Sequence, residues 1–151
     1  MRGHVVAFAV LVVTLVPAVA LAGASKGGRS LHATLKGSAE VPEKGPPAGR
    51  GSAEVKISGS QLCWEIKVSG IDRPTAAHIH QGRAGRAGAV VVPFGKAFKA
   101  RGCTKATATT AAAISRNPGG YYVNVHTKRY PAGAVRGQLG ASADNAGGIR
   151  Y

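Results

Sequence analysis

Three histidines stand at spacings that could hold a metal ion. His78 and His80 are separated by one residue in Ala77-His78-Ile79-His80, and His126 ends the run Tyr121-Tyr122-Val123-Asn124-Val125-His126. Residues i and i+2 of a strand share a face at roughly 7 Å, and two such imidazoles can converge on one ion at about 2 Å from each nitrogen. A third imidazole from a neighbouring strand would complete a three-nitrogen set with an open position, suited to copper or zinc. The alternative is a set of solvent-facing histidines with no task, and the sequence leaves the adjacency of the two strands open. The remaining histidines are His4 and His32.

Side-chain alternation assigns faces to these residues. Ala77 and Ile79 form the apolar set of one segment, which puts His78 and His80 together on the other face. Tyr121, Val123 and Val125 are the apolar set of the next, leaving Tyr122, Asn124 and His126 opposite. In Ala134–Leu139, Val135 and Leu139 point inward and Arg136 and Gln138 outward. Asn124, Arg136 and Gln138 are therefore expected beside His78, His80 and His126 on one outer surface, with the histidines clear of the core.

The elements that must position them are strands. Apolar residues recur every second position in Ala53-Glu54-Val55-Lys56-Ile57 and in Leu62-Cys63-Trp64-Glu65-Ile66-Lys67-Val68, with Ser58-Gly59-Ser60 between, a β-hairpin. Further strands are expected at Leu31–Gly37, Ala76–His80, Ala89–Val92, Tyr121–Thr127 and Ala134–Leu139. Short Gly- and Pro-bearing connections join them, as in an antiparallel β-sandwich or barrel. Trp64, Ile66, Val55, Ile57, Val123 and Val125 should form its core. Thr107–Arg116 reads instead as one short helix, stopped at Asn117-Pro118-Gly119, although its threonines weaken it. The stretch from Val41 to Gly51 is a loop, and Gly82–Gly88, with Gly-Arg-Ala twice, is a flexible hairpin connection or an anion-binding nest.

The chain's ends bear on where it works. One Arg precedes an uncharged run from Val5 to Ala22, closed by Ala20-Leu21-Ala22 and Gly23. These are the parts of a secretory signal over residues 1–22, cleaved after Ala22. The competing reading is a retained membrane anchor; Pro17 and the cleavage site favour removal, leaving no stable anchor. A flexible tail at 23–30, one domain at 31–140 and a second tail at 141–151 follow. The two cysteines, Cys63 and Cys103, would meet an oxidising compartment and form a disulfide, the alternative being two buried thiols.

Several blocks, in order, resemble the chordin-type (CHRD) domain: Leu35-Lys36-Gly37-Ser38-Ala39-Glu40-Val41-Pro42, Gly51-Ser52-Ala53, Ala77-His78-Ile79-His80-Gln81-Gly82, Asn117-Pro118 with Tyr121–Thr127, and Tyr130-Pro131-Ala132-Gly133-Ala134-Val135-Arg136-Gly137-Gln138-Leu139. The resemblance spans about 31–140 and implies a single-domain secreted protein of bacterial type, with an extracellular binding or structural role of unestablished biochemistry. Chordin itself carries such domains as repeats and binds bone morphogenetic proteins. With one copy and no cysteine-rich modules, growth-factor binding does not transfer. His78-Ile79-His80 and Val125-His126 are more distantly similar to the copper-binding strands of copper–zinc superoxide dismutases. The fold is accordingly expected to be all-β, superoxide-dismutase-like or immunoglobulin-like in its Greek-key connectivity, with one short helix. No bridging histidine follows His80 and no zinc cluster of His and Asp is visible, so dismutase activity is not expected.

Two functional readings follow: a secreted binding or structural module for an extracellular ligand, or a copper (or other metal) protein using His78, His80 and His126, conceivably redox-active. A net charge of +14 also attracts anionic polymers. Nucleic acid is not expected, because the 20 basic residues are scattered and only eight aromatics accompany them, without the stacking stripe of single-strand binders. No catalytic site stands out, with no Gly-x-Ser-x-Gly and only six acids for all acid–base work. Secretion to the medium, wall or periplasm is expected, with Gly23 as the mature N-terminus. N-terminal sequencing of the exported product checks this; a membrane-bound product retaining residues 1–22 would overturn it.

Overall fold

The computed structural model describes residues 28–142; the expected signal, most of the N-terminal tail and residues 143–151 lie outside them. Nine strands and one helix follow in order: β1 (Arg29–Lys36), β2 (Arg50–Ser58), β3 (Gln61–Ser69), β4 (Pro74–Gln81), β5 (Val90–Pro93), β6 (Arg101–Lys105), α1 (Ala108–Arg116), β7 (Tyr121–Thr127), β8 (Val135–Gln138) and β9 (Gly140–Ala141). All pairings are antiparallel, in the spatial order β5-β4-β7-β8-β1-β2-β3-β6, with β9 against β1. The expected all-β class with one short helix is what forms.

The sheet curls until its two ends nearly meet. Trp64 of β3 stacks on Phe94, just past β5, with ring centroids 4.4 Å apart and planes 7° from parallel. The segment between β5 and β6 bridges both ends. Phe94 and Phe98 donate backbone N–H groups to Ala77 and Thr75 of β4, while Ala100 accepts from Ile66 of β3 and Lys99 accepts from the Trp64 indole at 2.9 Å. A nearly closed barrel results, which removes most of the exposed strand edge. Gly102 of β6 is part of the closure, since a Cβ there would stand 2.7 Å from the Trp64 ring.

Alternation chooses the lining. Leu31, Ala33 and Leu35 of β1, Ala53, Val55 and Ile57 of β2, Leu62, Trp64 and Ile66 of β3, and Val123 and Val125 of β7 are all buried in one cluster. Helix α1 adds Ala111 and Ile114. Its N-cap is Thr107, whose hydroxyl accepts from the Thr110 N–H at 3.1 Å, one of the threonines that seemed to argue against a helix.

Three features differ from the sequence reading. β1 begins at Arg29, with Arg29 and Ser30 paired to Ile57 and Lys56. The short strands β6 and β9 carry no apolar alternation and were not expected; β6 is an edge strand with the sequence Arg-Gly-Cys-Thr-Lys. Its place is fixed by the Cys63–Cys103 disulfide, between residues directly opposite in register with Cα atoms 4.0 Å apart. The bridge staples the last strand to the sheet on its outward side and closes a loop of separation 40, for which chain entropy gives about 4 kcal/mol.

Trp64 is 6 % exposed and stacked, so Trp64→Ala should lower unfolding free energy by about 3–5 kcal/mol. Urea denaturation measures this, and a loss under about 1 kcal/mol would contradict the closure described.

Candidate metal centre

Strands β4 and β7 are hydrogen-bonded neighbours, with His78 opposite Asn124, His80 opposite Tyr122 and Ala76 opposite His126. The register puts both β4 histidines and His126 on the same face of the sheet. One ring nitrogen from each lies within 4.8 Å of the others. The cluster contains no carboxylate and no thiol. His32 lies apart from it, bonded to Glu54 at 2.6 Å.

Backbone carbonyls orient two of the rings. Gly88 O lies 2.9 Å from His80 Nδ1, and Pro131 O lies 2.9 Å from His126 Nδ1. A carbonyl only accepts, so each Nδ1 carries the proton and each Nε2 presents its lone pair to the cluster. This arrangement fixes tautomer and direction as in metal-ligating histidines. His78 Nδ1 is 3.0 Å from His126 Nε2, and with that lone pair as acceptor His78 donates. His80 Nε2 is buried with no hydrogen-bond partner. A metal ion would engage His80 Nε2 directly and replace the proton between His78 and His126.

All three rings are held neutral. Burial, then the neighbouring His126 and His80, lower the His78 pKa to about 4. Burial also lowers His80, aided by Arg136 and opposed by the Gly88 bond. It lowers His126 against the Pro131 bond. Imidazoles expected to protonate near 6.5 thus remain ligand-ready to lower pH.

The expected neighbours are present, but not on an open surface. Asn124 is 3 % and Arg136 2 % exposed, while Gln138 is half-buried. Period-two alternation separates two faces of a sheet; it does not say whether loops roof one of them. Here Glu40, the 82–88 connection and the turn at Pro131 cover the face. Gln138 Nε2 donates to the carbonyls of Gly82, Gly119 and Tyr121, and Arg136 donates to Arg83 O at 2.8 Å and Gln138 Oε1 at 3.2 Å. The Gly-Arg-Ala loop is therefore a tethered part of the site wall.

Glu40 was not foreseen as a site residue, and Tyr122, placed on the histidines' face by alternation, was not foreseen as a ring partner of His80. The Tyr122 ring stacks on His80 at 4.9 Å and 10°, and its hydroxyl accepts from Gly88 N at 3.1 Å. Glu40, 1 % exposed, accepts from Asn124 Nδ2 at 3.2 Å. Burial pushes the Glu40 carboxyl up to about 7, against Arg136, the Asn124 bond and the Val41 N–H. Glu40 Oε1 and Asn124 Oδ1 are both buried acceptors without a donor. Gly133, at φ +148°, makes room for them, since a Cβ would meet Glu40 Oε2 at 2.5 Å. A loop glutamate far from the strand motifs gave no periodic signal.

A model of the CHRD domain family matches residues 31–139, more than half of the chain. This protein belongs to the CHRD domain family. No curated protein and no solved structure matches the chain. The CHRD domain is of extracellular type, and its disulfide is consistent with that setting. The three histidines of this CHRD domain fall inside the matched span.

Linkage gives two opposite pH effects. The histidines' folded pKa values are depressed, so their contribution to stability is present above pH 6.5 and lost as pH falls towards 4. The Glu40 value is raised from 4.5 to about 7, so its contribution is present below 4.5 and lost as pH rises through 7. Glu40→Gln should therefore gain stability relative to the parent by up to about 3 kcal/mol at pH 8 and little at pH 4.5. Urea unfolding at both pH values measures it; a difference independent of pH would contradict a neutral buried carboxyl.

Proposed function

We propose that this CHRD domain is the binding module of an exported protein, and that its own ligand is a transition-metal ion, copper or zinc, held by His78, His80 and His126. The observation that carries the reading is the buried, unpartnered His80 Nε2 aimed into a cluster of three neutral imidazoles, two of them braced by backbone carbonyls. Leaving a buried acceptor unpaired costs about 1–3 kcal/mol, and a bound ion removes that cost. Three nitrogens around one ion at about 2.1 Å stand no more than about 4 Å apart, so the rings need only a small inward rotation. The ligand set has no charged member, which suits binding and storage of a copper or zinc ion better than acid–base catalysis.

Export is supported by the family's extracellular type and the disulfide, together with the N-terminal signal expected from the sequence. The high positive charge of the chain further suits an anionic environment at the cell surface.

Titration of the full-length exported protein with Cu(II), Cu(I) and Zn(II) tests the site. Each single replacement, His78→Ala, His80→Ala or His126→Ala, should weaken binding by more than about tenfold, and His32→Ala should leave it unchanged. Binding no tighter than that of the triple-alanine variant would sink the proposal; the domain would then act through its protein surface alone.

A further inference from the structure

Arg136 is the most deeply buried cation near the histidines. Its guanidinium carbon lies 3.4 Å from the centre of the Tyr122 ring, and that ring stacks on His80. Tyr122 belongs to β7, which runs between β4 carrying His80 and β8 carrying Arg136. The phenol ring is thus sandwiched, and the positive charge sits one ring away from a ligand. Gly88 clamps the stack from the side, donating its N–H to Tyr122 while its carbonyl holds His80.

Among the described residues, no carboxylate stands in salt-bridge contact with this charge. The ion pairs among the described residues are His32–Glu54, Lys67–Glu65 and Arg101–Glu65, and the hydrogen-bonded partners of Arg136 are a carbonyl and an amide oxygen. The acid that interacts with it, Glu40, is driven towards its neutral form by burial. The three ligands are themselves uncharged. Below pH 7, where the Glu40 carboxyl is largely protonated, a metal ion in the cluster therefore faces one fixed positive charge, shielded by protein rather than water, with no carboxylate paired to it.

Resting on the trihistidine reading, we propose that Arg136, stacked through Tyr122 onto His80 with no carboxylate in salt-bridge contact, shifts the site's preference towards a monovalent soft ion, Cu(I), relative to the divalent imidazole binders Cu(II) and Zn(II). Repulsion scales with the ion's charge. At such a separation in protein surroundings, one extra unit of charge on the metal weakens binding by on the order of tenfold. Three neutral nitrogens with no carboxylate or thiolate do nothing to offset that penalty for a divalent ion, whereas Cu(I) carries the smaller charge and accepts low coordination numbers.

The test compares dissociation constants for Cu(I), measured anaerobically against a chromophoric chelator, with those for Zn(II) and Cu(II). Wild type, Arg136→Met, Arg136→Lys and Ala84→Glu are measured in the full-length exported protein. Arg136→Met removes the charge and keeps a stem to pack on Tyr122; it should tighten Zn(II) and Cu(II) about tenfold relative to Cu(I). Arg136→Lys restores the charge and should restore the wild-type ratio. Ala84 is exposed and lines, with Arg136, a cavity of about 230 Å³, so Ala84→Glu supplies a counter-charge without disturbing the stack. It should shift the ratio in the same direction by a smaller factor, and it carries the test if Arg136→Met does not fold, as judged by Trp64 fluorescence. Metal binding by wild type with a ratio unmoved by the folded variants overturns this inference alone. The same shift in Arg136→Lys as in Arg136→Met also overturns it, by making shape rather than charge the cause. Failure of wild type to bind any of the three ions better than the triple-alanine variant overturns the metal site itself.

Discussion

The antiparallel register between β4 and β7 is the constraint on which everything around the histidines depends. It sets His78 against Asn124 and His80 against Tyr122, and a slip of one residue would turn the side chains of one strand to the face opposite those of the other, separating the β4 histidines from His126. The same register sends Ala77, Ile79, Val123 and Val125 into the core. Core formation and site formation are therefore one event: the apolar residues that must be buried choose the face on which the imidazoles emerge.

Closure of the barrel supports that register from a distance. β4 would be the edge strand were it not held on its far side by β5 and the segment that follows it. Phe94 and Phe98 bond to β4, and Phe94 stacks on Trp64 of β3, so the two ends of the sheet brace each other. The disulfide then pins β6 on the outer side of this seam. The histidine strand is consequently part of a rigid wall, and rigid elements hold ligand sets more accurately than loops do.

Over this wall lies a polar layer that is buried without being part of the hydrophobic core. Asn124, Arg136 and Glu40 are nearly inaccessible, and a charge or amide in such a place is costly unless it is bonded. Most of the layer is satisfied by backbone carbonyls of the 82–88 loop and by Gln138. What remains unsatisfied is concentrated: Glu40 Oε1, Asn124 Oδ1 and His80 Nε2. Among the described residues, the buried side-chain atoms left without partners are these three, and the carboxyl among them interacts with the buried Arg136.

The all-β class, the hairpin of β2 and β3, the core residues, the short helix and the face shared by His78, His80 and His126 were legible along the chain, because period-two alternation and turn chemistry are local properties. The sequence also led to the expectation of the disulfide, with two free thiols as the alternative, and the structure shows the bridge. That β4 and β7 are neighbours came from the packed fold alone, since strand order depends on how distant segments pack and leaves no mark in either segment. Likewise Arg136 and Asn124 were legible as sharing the histidines' face but not as buried, because the loops that roof them are irregular and carry no period. Strands β6 and β9 lack apolar alternation and form because an edge is there to receive them. Glu40 joins the site across the fold from Asn124, a contact between a loop and a strand 84 positions apart, and long-range contacts of that kind are set by the closing of the barrel rather than by any spacing along the chain.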